Sequence, residues 1–399
     1  MAAHTKKSQN KLIFTMCSGA SHALDYMQSV IPSSDRTSSF LPWSLPEAYA
    51  TLQVRCKRLE DATAYVEKAM RVPRLGGNEK NHPALGHMGT LADLSEGYYS
   101  KVLKLAFAED GYSLHPATAL IQRACHSTNI RDINHDSALP DDRFAQVTKA
   151  GGELSTGDYD FTNISIQVEL EGNAEKISKR VKNSHAYALQ RFCSVRDYLD
   201  SLHKKFGDLH CLKFDLYAVA EWHEDGSVPC RFFEKQKNLL NKIRQYPIFQ
   251  RTCCGYIRKI NWLPTIGWSA TYFFLFEASH FDPKMVSTVI GRPSLTFDPD
   301  NLAGQFEDVL LKLWHSPVDK GTYLRNCSES SISPIARKGC GRIQKGYRNY
   351  QDLLETIARM CASEVYFQPV IGRKGKAIRS IETGRLTTAS RSKPKSGRG

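Results

Sequence analysis

The sequence predicts an α+β fold: a helical N-terminal region, then a central antiparallel sheet flanked by helices, then a disordered basic C-terminal tail. The strongest signal is the stretch Cys253 to Ser279, whose two arms, GYIRKINW and WSATYFFLFEA, are rich in aromatic and β-branched residues. Five residues that include Pro264 and Gly267 separate the arms, as in a turn between two strands. A third apolar run, LHCLKFDLYAVAEW (Leu209 to Trp222), and several amphipathic helical patterns complete the prediction.

Composition limits the class of protein. The chain has 399 residues, 41% of them hydrophobic, which is enough for two or three domains with real cores. No apolar run approaches the roughly 18 residues that span a bilayer, so we expect no membrane partner. The apolar patch LIFTM near the start is too short for a signal peptide. Eleven cysteines without a CxxC pair fit a reduced, cytoplasmic setting and provide no zinc motif.

Three regions follow from the pattern along the chain: a mostly helical region over 1–150, an α+β domain over 151–370 and a flexible basic tail over 371–399. Within the first region, residues up to about Lys11 are expected to be disordered. The helices predicted after them are Ile13 to Val30, Pro46 to Arg71, Leu91 to Glu109 and His115 to Cys125. None of these segments carries a chemical motif.

The second region contains the elements of the sheet and its helices. Apolar and polar residues alternate over FTNISIQVEL (Phe161 to Leu170), which predicts a strand. The other elements predicted beside the three apolar runs are helices Asn173 to Lys205, Phe232 to Arg244, Phe306 to Trp314 and Tyr347 to Cys361, and strand Gly321 to Cys327.

Asp215 lies inside the apolar run Leu209 to Trp222. A carboxylate buried in a strand centre needs a partner or a metal, because desolvation of an isolated charge is costly. The sequence does not identify that partner.

Several basic residues lie where they could contact phosphate. The early part of the helix Asn173 to Lys205 has a strongly basic face, which fits either phosphate binding or simple solvation. From Val370 onward there are nine Lys or Arg and one acid, Glu382, a net charge of +8. This tail could be a salt-sensitive phosphate-binding arm or only a solubilising terminus. The basic residues of the helix face and the tail that carry these alternatives are Lys176, Lys179, Arg180, Lys182, Arg373, Lys374, Lys376 and Arg379.

The first arm of the hairpin also alternates basic and aromatic side chains. Arg258, Lys259 and Trp262 are therefore candidates for meeting phosphates and stacking on bases. The alternative is that Trp262 and Trp268 only close the end of the sheet.

An ordered set of segments carries a family resemblance. These segments are CLKFDLYA, GYIRKINW, GWSATYFFLFEAS, LLKLWHSPVDKGTYLRNC, GCGRIQKGYRNYQDLLETIARMCASEVYFQP and RSIETGR. In order and spacing, the stretch from about Ala186 to Gly384 resembles the YagK/YfjJ C-terminal-domain family, replication proteins of inovirus type from filamentous phages and prophages. The resemblance covers about half of the chain. It implies a replication-protein (Rep-like) fold with a His-hydrophobic-His nicking centre, in which two histidines hold a divalent metal beside a tyrosine nucleophile.

The chain departs from the family at the catalytic positions. The lysine-apolar-glutamate of the first arm is Lys259, Ile260 and Asn261 here, and the His-x-His of the second arm is Ser269, Ala270 and Thr271. The later Tyr-x-x-Lys falls on the segment that begins with Arg359 and ends with Ala362. Hydroxyls and an amide are weak neutral ligands for a divalent metal, so we predict a degenerate site without metal or other cofactor. Tyr366 is the one weak alternative nucleophile.

These observations give three hypotheses. The first is a DNA-binding protein in the cytoplasm of a bacterial host that has lost nicking activity and regulates or assists the replication of a mobile element. Its partners would be single-stranded or origin DNA and replication proteins. The second is an active initiator that cuts single-stranded DNA with a divalent metal and residues such as Asp215, His223, His280 and Tyr366. The third is a protein-interaction module.

Overall fold

The computed structural model describes the chain in segments: 2–31, 112–113, 148–149, 152–153, 156–219, 228–263, 267–281, 299–314, 322–328, 334–371 and 376–385. The helices are α1 (Ala2–Cys17), α2 (Ala20–Val30), α3 (Thr156–Phe206), α4 (Val228–Ile243), α5 (Pro247–Thr252), α6 (Pro299–Trp314), α7 (Pro334–Arg337) and α8 (Arg348–Tyr366). A 3-10 helix covers Ala278–Phe281. The described helices include none with the length and apolar composition of a membrane span.

The strands form one large sheet and two small ones. They are β1 (Tyr112–Ser113), β2 (Thr148–Lys149), β3 (Gly152–Glu153), β4 (Leu209–Val219), β5 (Cys253–Leu263), β6 (Gly267–Glu277), β7 (Thr322–Asn326), β8 (Gly341–Ile343), β9 (Gln368–Ile371), β10 (Lys376–Ala377) and β11 (Ile381–Gly384). The large sheet has the order β11-β5-β6-β4-β7, with β8 pairing the other end of β4. All of its pairings are antiparallel.

Helices cover both faces of this sheet. One face, called here the α8 face, packs its apolar residues against α1, α2, α3 and α8. The opposite face packs against α4, α5 and α6, with Phe274 and Phe306 in contact at its centre. Coverage on both sides explains why nearly every residue of β5 and β6 is buried, including the polar ones. The predicted α+β fold with a central antiparallel sheet is therefore confirmed.

Two local predictions were wrong. Residues 161–170, predicted as a strand, lie within the 51-residue helix α3. The alternation of apolar and polar residues there is short, and no proline separates it from the helical pattern that follows. Residues before Lys11, expected to be disordered, belong to α1.

Part of the stretch assigned to the basic tail forms strands. Residues 376–385 contribute two strands, and β11 pairs with β5 along Ile381 to Gly384. This strand is only four residues long, and its pairing with a distant part of the chain could not be read from local composition. The predicted helices Pro46 to Arg71, Leu91 to Glu109 and His115 to Cys125, and residues 386–399, lie outside the described part of the chain.

The N-terminal helices belong to the same folded unit as the sheet. Helices α1 and α2 pack on α8, and buried residues of both, such as Phe14 and Met27, join the core of the α8 face. Strand β1 likewise pairs with β9. The described residues 2–31 and 112–113 therefore contact elements that follow residue 150 in the chain.

Gly255 lies where α3 packs closely on the sheet, so a substitution at this position tests that packing. A Cβ atom at this position would overlap the Tyr198 hydroxyl and would approach the Gly384 carbonyl to 2.8 Å. We therefore expect Gly255→Ala to destabilise the fold by about 1–3 kcal/mol, the usual cost of overpacking. Gly19→Ala is the matched control, because its Cβ would make only ordinary contacts of 3.6–3.7 Å. Urea unfolding measures both; equal stabilities would contradict the close approach.

Candidate functional site

The motif positions of the hairpin come together on the α8 face of the sheet. In the β5–β6 pairing, Asn261 lies opposite Ser269 and Lys259 lies opposite Thr271. On the other side of β6, Thr271 lies opposite Asp215 of β4. The group formed by Asp215, Asn261, Ser269, Thr271 and Arg325 is called here the sheet-centre cluster. Its members are all buried.

Asp215 is the acceptor at the middle of this cluster. The Thr271 hydroxyl donates to its Oδ1 at 2.7 Å, and Arg325 Nε donates to its Oδ2 at 3.1 Å. The Arg325 Nη2 atom also bonds to Oδ2, which makes a buried ion pair. The Cys327 thiol donates to the same oxygen at 2.9 Å. The partner that the sequence required for Asp215 is thus a protein side chain, Arg325.

The end of α2 closes the cluster. Arg325 donates from Nη2 to the Ser29 carbonyl at 2.6 Å and from Nη1 to the Ile31 carbonyl at 2.7 Å. The Tyr217 hydroxyl donates to the carbonyl of Val30. Carbonyls in the last turn of a helix lack partners within the helix, so these bonds satisfy them and place a cation at the negative end of its dipole.

Side chains extend the same contact. Asn261 Nδ2 donates to the Thr271 hydroxyl oxygen at 3.5 Å, and Tyr26 of α2 donates to Asn261 Oδ1 at 3.3 Å. The Ser269 hydroxyl is buried and has no hydrogen-bond partner among the residues that the structure describes. The face on which the resemblance places a nicking centre is therefore covered by α2.

Charge in the cluster is balanced. Burial alone would raise the pKa of Asp215, but the positive charges of Arg325 and Lys213 outweigh it, and the pKa of the carboxyl is lowered. Burial raises the pKa of the Tyr26 and Tyr217 hydroxyls. Neither phenol is thus disposed to ionise, as a nucleophile would need to be.

A second polar group lies beside the cluster, around Lys259. Its ammonium contacts Glu364 Oε1 of α8 at 2.9 Å and the Ser380 hydroxyl at 3.0 Å. Arg191 of α3 pairs with the other oxygen of Glu364. Burial lowers the pKa of Lys259, and the nearby positive charge of Arg191 lowers it further. This Lys259 group ties β5, α3, α8 and residue 380 together.

The positions predicted on α8 do not reach the sheet-centre cluster as catalytic groups. Arg359 lies 3.5 Å from Asp25 of α2, and Ala362 is packed in the core. The Tyr366 hydroxyl donates to the Ser18 carbonyl at 3.1 Å, between α1 and α2. The tyrosine considered as an alternative nucleophile is therefore engaged with the N-terminal helices.

Of the two histidines in the second hypothesis, the described one, His280, does not complete a site either. His280 lies in the 3-10 helix beyond β6, 3.9 Å from Glu277, whereas Asp215 pairs with the middle of that strand. His223 lies outside the described residues. Among the residues described, no three His, Cys, Asp or Glu side chains are grouped to hold a metal ion.

The proposed DNA contacts fall in different environments. Lys259 is buried in its ion pair, and Arg258 is buried between Gln236 and Glu382, so neither faces the surface. Trp262 is half-buried and packs against both cores. Lys376 belongs to β10, and Arg379 is exposed, whereas Arg373 and Lys374 lie outside the described residues.

Sequence reasoning missed Arg325, Tyr26 and Glu364. Arg325 had a signal, because a basic residue inside a predicted strand is a candidate partner for a buried carboxylate. Nothing local distinguished it from the other basic residues of the chain. The roles of Tyr26 and Glu364 depend on helix packing, which no motif encodes.

Comparison with known proteins adds no relative. No protein-family model, no curated protein and no solved structure matches the chain.

The Asp215–Arg325 ion pair can be tested against an exposed pair. Replacing Arg325 with Met leaves the Asp215 carboxylate buried without its cation, so we expect Arg325→Met to lower the unfolding free energy by about 3–5 kcal/mol. Arg342→Met is the matched control, because Arg342 is 60% exposed in its pair with Asp208 and should cost no more than about 1 kcal/mol. Urea denaturation compares them. Equal losses would contradict the buried role of Arg325.

The pKa of Asp215 also predicts a pH dependence. Because the pKa in the folded protein is below the ordinary value of 3.8, the ionised carboxylate stabilises the fold above about pH 4. That stabilisation is lost as the pH falls through the folded value. Asp215→Asn should be less stable than the wild type at neutral pH and should lose less on acidification. Urea unfolding at neutral and acid pH measures this; parallel losses in the two proteins would contradict it.

Proposed function

We propose that this chain is a DNA-binding protein with a fold of the inovirus-type replication-protein class and without nicking activity. The observation that carries the proposal is the sheet-centre cluster. Where the resemblance expects two imidazoles and a carboxylate around a metal, the side chains are Ser269, Thr271 and Asn261, buried and covered by α2.

The chemistry of the cluster supports the loss of catalysis. Strand scission through tyrosine needs a group that polarises the phosphate and a phenol free to attack it. The Asp215 carboxylate is already neutralised by Arg325, so it offers little net charge to a metal ion. The hydroxyls of Tyr26 and Tyr217 are buried in hydrogen bonds to Asn261 and the Val30 carbonyl.

Charge supports DNA as the partner. The chain has a formal net charge of +13, and its exposed cations include Arg379 and the basic part of α3. Contacts from such cations to phosphates release counterions, which favours binding at low salt. At an origin of a mobile element, such a protein would occupy DNA without cutting it, next to active replication proteins.

A gel experiment tests both halves of the proposal. The protein is incubated with end-labelled single-stranded DNA at low salt, with and without Mn²⁺. We expect retarded bands on a native gel that weaken as salt is raised, and neither cut strands nor a covalent adduct on a denaturing gel. Tyr366→Phe should behave as the wild type because its hydroxyl contacts a backbone carbonyl.

The possible outcomes separate the hypotheses. A metal-dependent adduct that disappears in Tyr366→Phe would overturn the proposal that the protein lacks nicking activity and would favour an active initiator. Absence of DNA binding at low salt would overturn the proposal itself and favour a protein-interaction role.

A further inference from the structure

The middle of α3 has an unusual charge pattern. Residues 176–191 include five Lys or Arg and no Asp or Glu. The basic residues are Lys176, Lys179, Arg180, Lys182 and Arg191, and the first four are exposed. This segment therefore presents a local excess of positive charge on the outside of the molecule.

Helical spacing arranges part of this segment into one line. With 3.6 residues per turn, positions 176, 180, 183, 187 and 190 lie on one side of the helix, over about 21 Å of its length. The structure leaves all of these side chains exposed, whereas Ala188 and Phe192 on the other side are buried in the core. We call this line, with the adjacent Lys179, the basic stripe: Lys176, Lys179, Arg180, Asn183, Tyr187 and Gln190.

Tyr187 gives the stripe an aromatic surface. Its side chain is 66% exposed, although a tyrosine ring normally gains by packing. The other residues of the stripe are cations and amides, so the stripe itself is not an apolar docking face. A free aromatic face among cations is the arrangement by which proteins hold an unpaired base beside its phosphates.

Arg379 extends the positive surface beyond α3. Burial lowers the pKa of Arg191, and the nearby positive charge of Arg379 lowers it further. Arg191 is held by Glu364, but Arg379 is exposed next to it. Arg379, in the short segment that precedes β11, is therefore an exposed cation near Arg191.

We propose that the basic stripe of α3 binds single-stranded nucleic acid, with a base stacked on Tyr187 and the backbone phosphates on Lys176, Lys179 and Arg180. This rests on the proposed function and adds to it the binding surface and the form of the nucleic acid. A single strand fits better than a duplex because stacking on Tyr187 needs a base that is not already stacked and paired. An anionic membrane fits less well because the stripe lacks the apolar side chains that insert at an interface.

Substitutions on the stripe can be matched to equivalent ones elsewhere. The test variants are Tyr187→Ala, Tyr187→Phe and the double replacement Lys176→Gln with Arg180→Gln. The control for the aromatic is Tyr347→Ala, since Tyr347 is 63% exposed at the start of α8. The control for the charges is Lys204→Gln with Lys205→Gln, exposed at the other end of the same helix. All of these positions are exposed, and thermal unfolding verifies that each variant folds as the wild type.

Fluorescence anisotropy with labelled oligothymidylate measures the affinity at several salt concentrations, and a labelled duplex serves for comparison. Tyr187→Ala should weaken binding of the single strand by about 5- to 150-fold, the value of one stacked base. Tyr187→Phe keeps the ring and should stay within about twofold of the wild type. The double charge variant should reduce the slope of log affinity against log salt by about 1.4, because two phosphate contacts are lost.

The outcomes distinguish this inference from the function on which it rests. If the wild type binds oligothymidylate and the stripe variants bind as well as their controls do, the inference is wrong and the proposed function stands. If the wild type binds no DNA, both fail. Equal or tighter binding of duplex, or binding only to phosphatidylserine vesicles, would overturn the assignment to a single strand.

Discussion

The arrangement of the α8 face depends on the burial of one carboxylate, Asp215. A charge at the centre of a sheet covered on both sides must be neutralised, and Arg325 on the neighbouring strand supplies the cation. The Arg325 guanidinium also donates hydrogen bonds to the carbonyls of Ser29 and Ile31 at the end of α2. The residue that neutralises the buried Asp215 carboxylate therefore also holds α2 against the sheet.

The same contacts leave little room for a metal-dependent nicking centre on this face. Two histidines placed at 269 and 271 would lie in a region that is already packed and has no net charge to attract a metal. The end of α2 would still cover them, since Tyr26 and the last carbonyls of the helix contact this face. Catalysis on this face would require both the ligands and the displacement of α2.

The parts of the fold that could be predicted are those with a local signal. The β5–β6 hairpin and β4 are long apolar runs, and α8 has a clear amphipathic pattern, so all were predicted near their actual bounds. Strand β11 was not, because its four residues are held by pairing with β5 and by contacts such as Arg258 with Glu382. Asn261, Ser269 and Thr271 lie together because β5 and β6 form the predicted hairpin, whereas Arg325 and α2 enter the cluster only through tertiary contacts.

The burial of some basic side chains and the exposure of others determine where the proposed DNA binding could occur. Arg258 and Lys259, the basic residues of the hairpin, form ion pairs with Glu382 and Glu364. These ion pairs lie within the fold. A phosphate backbone cannot reach them without breaking buried ion pairs, which is costly. The cations of the α3 stripe carry no such cost because they are solvated. Because α2 closes the sheet face, the proposed DNA binding is better placed on the exposed cations of α3 than on Arg258 and Lys259.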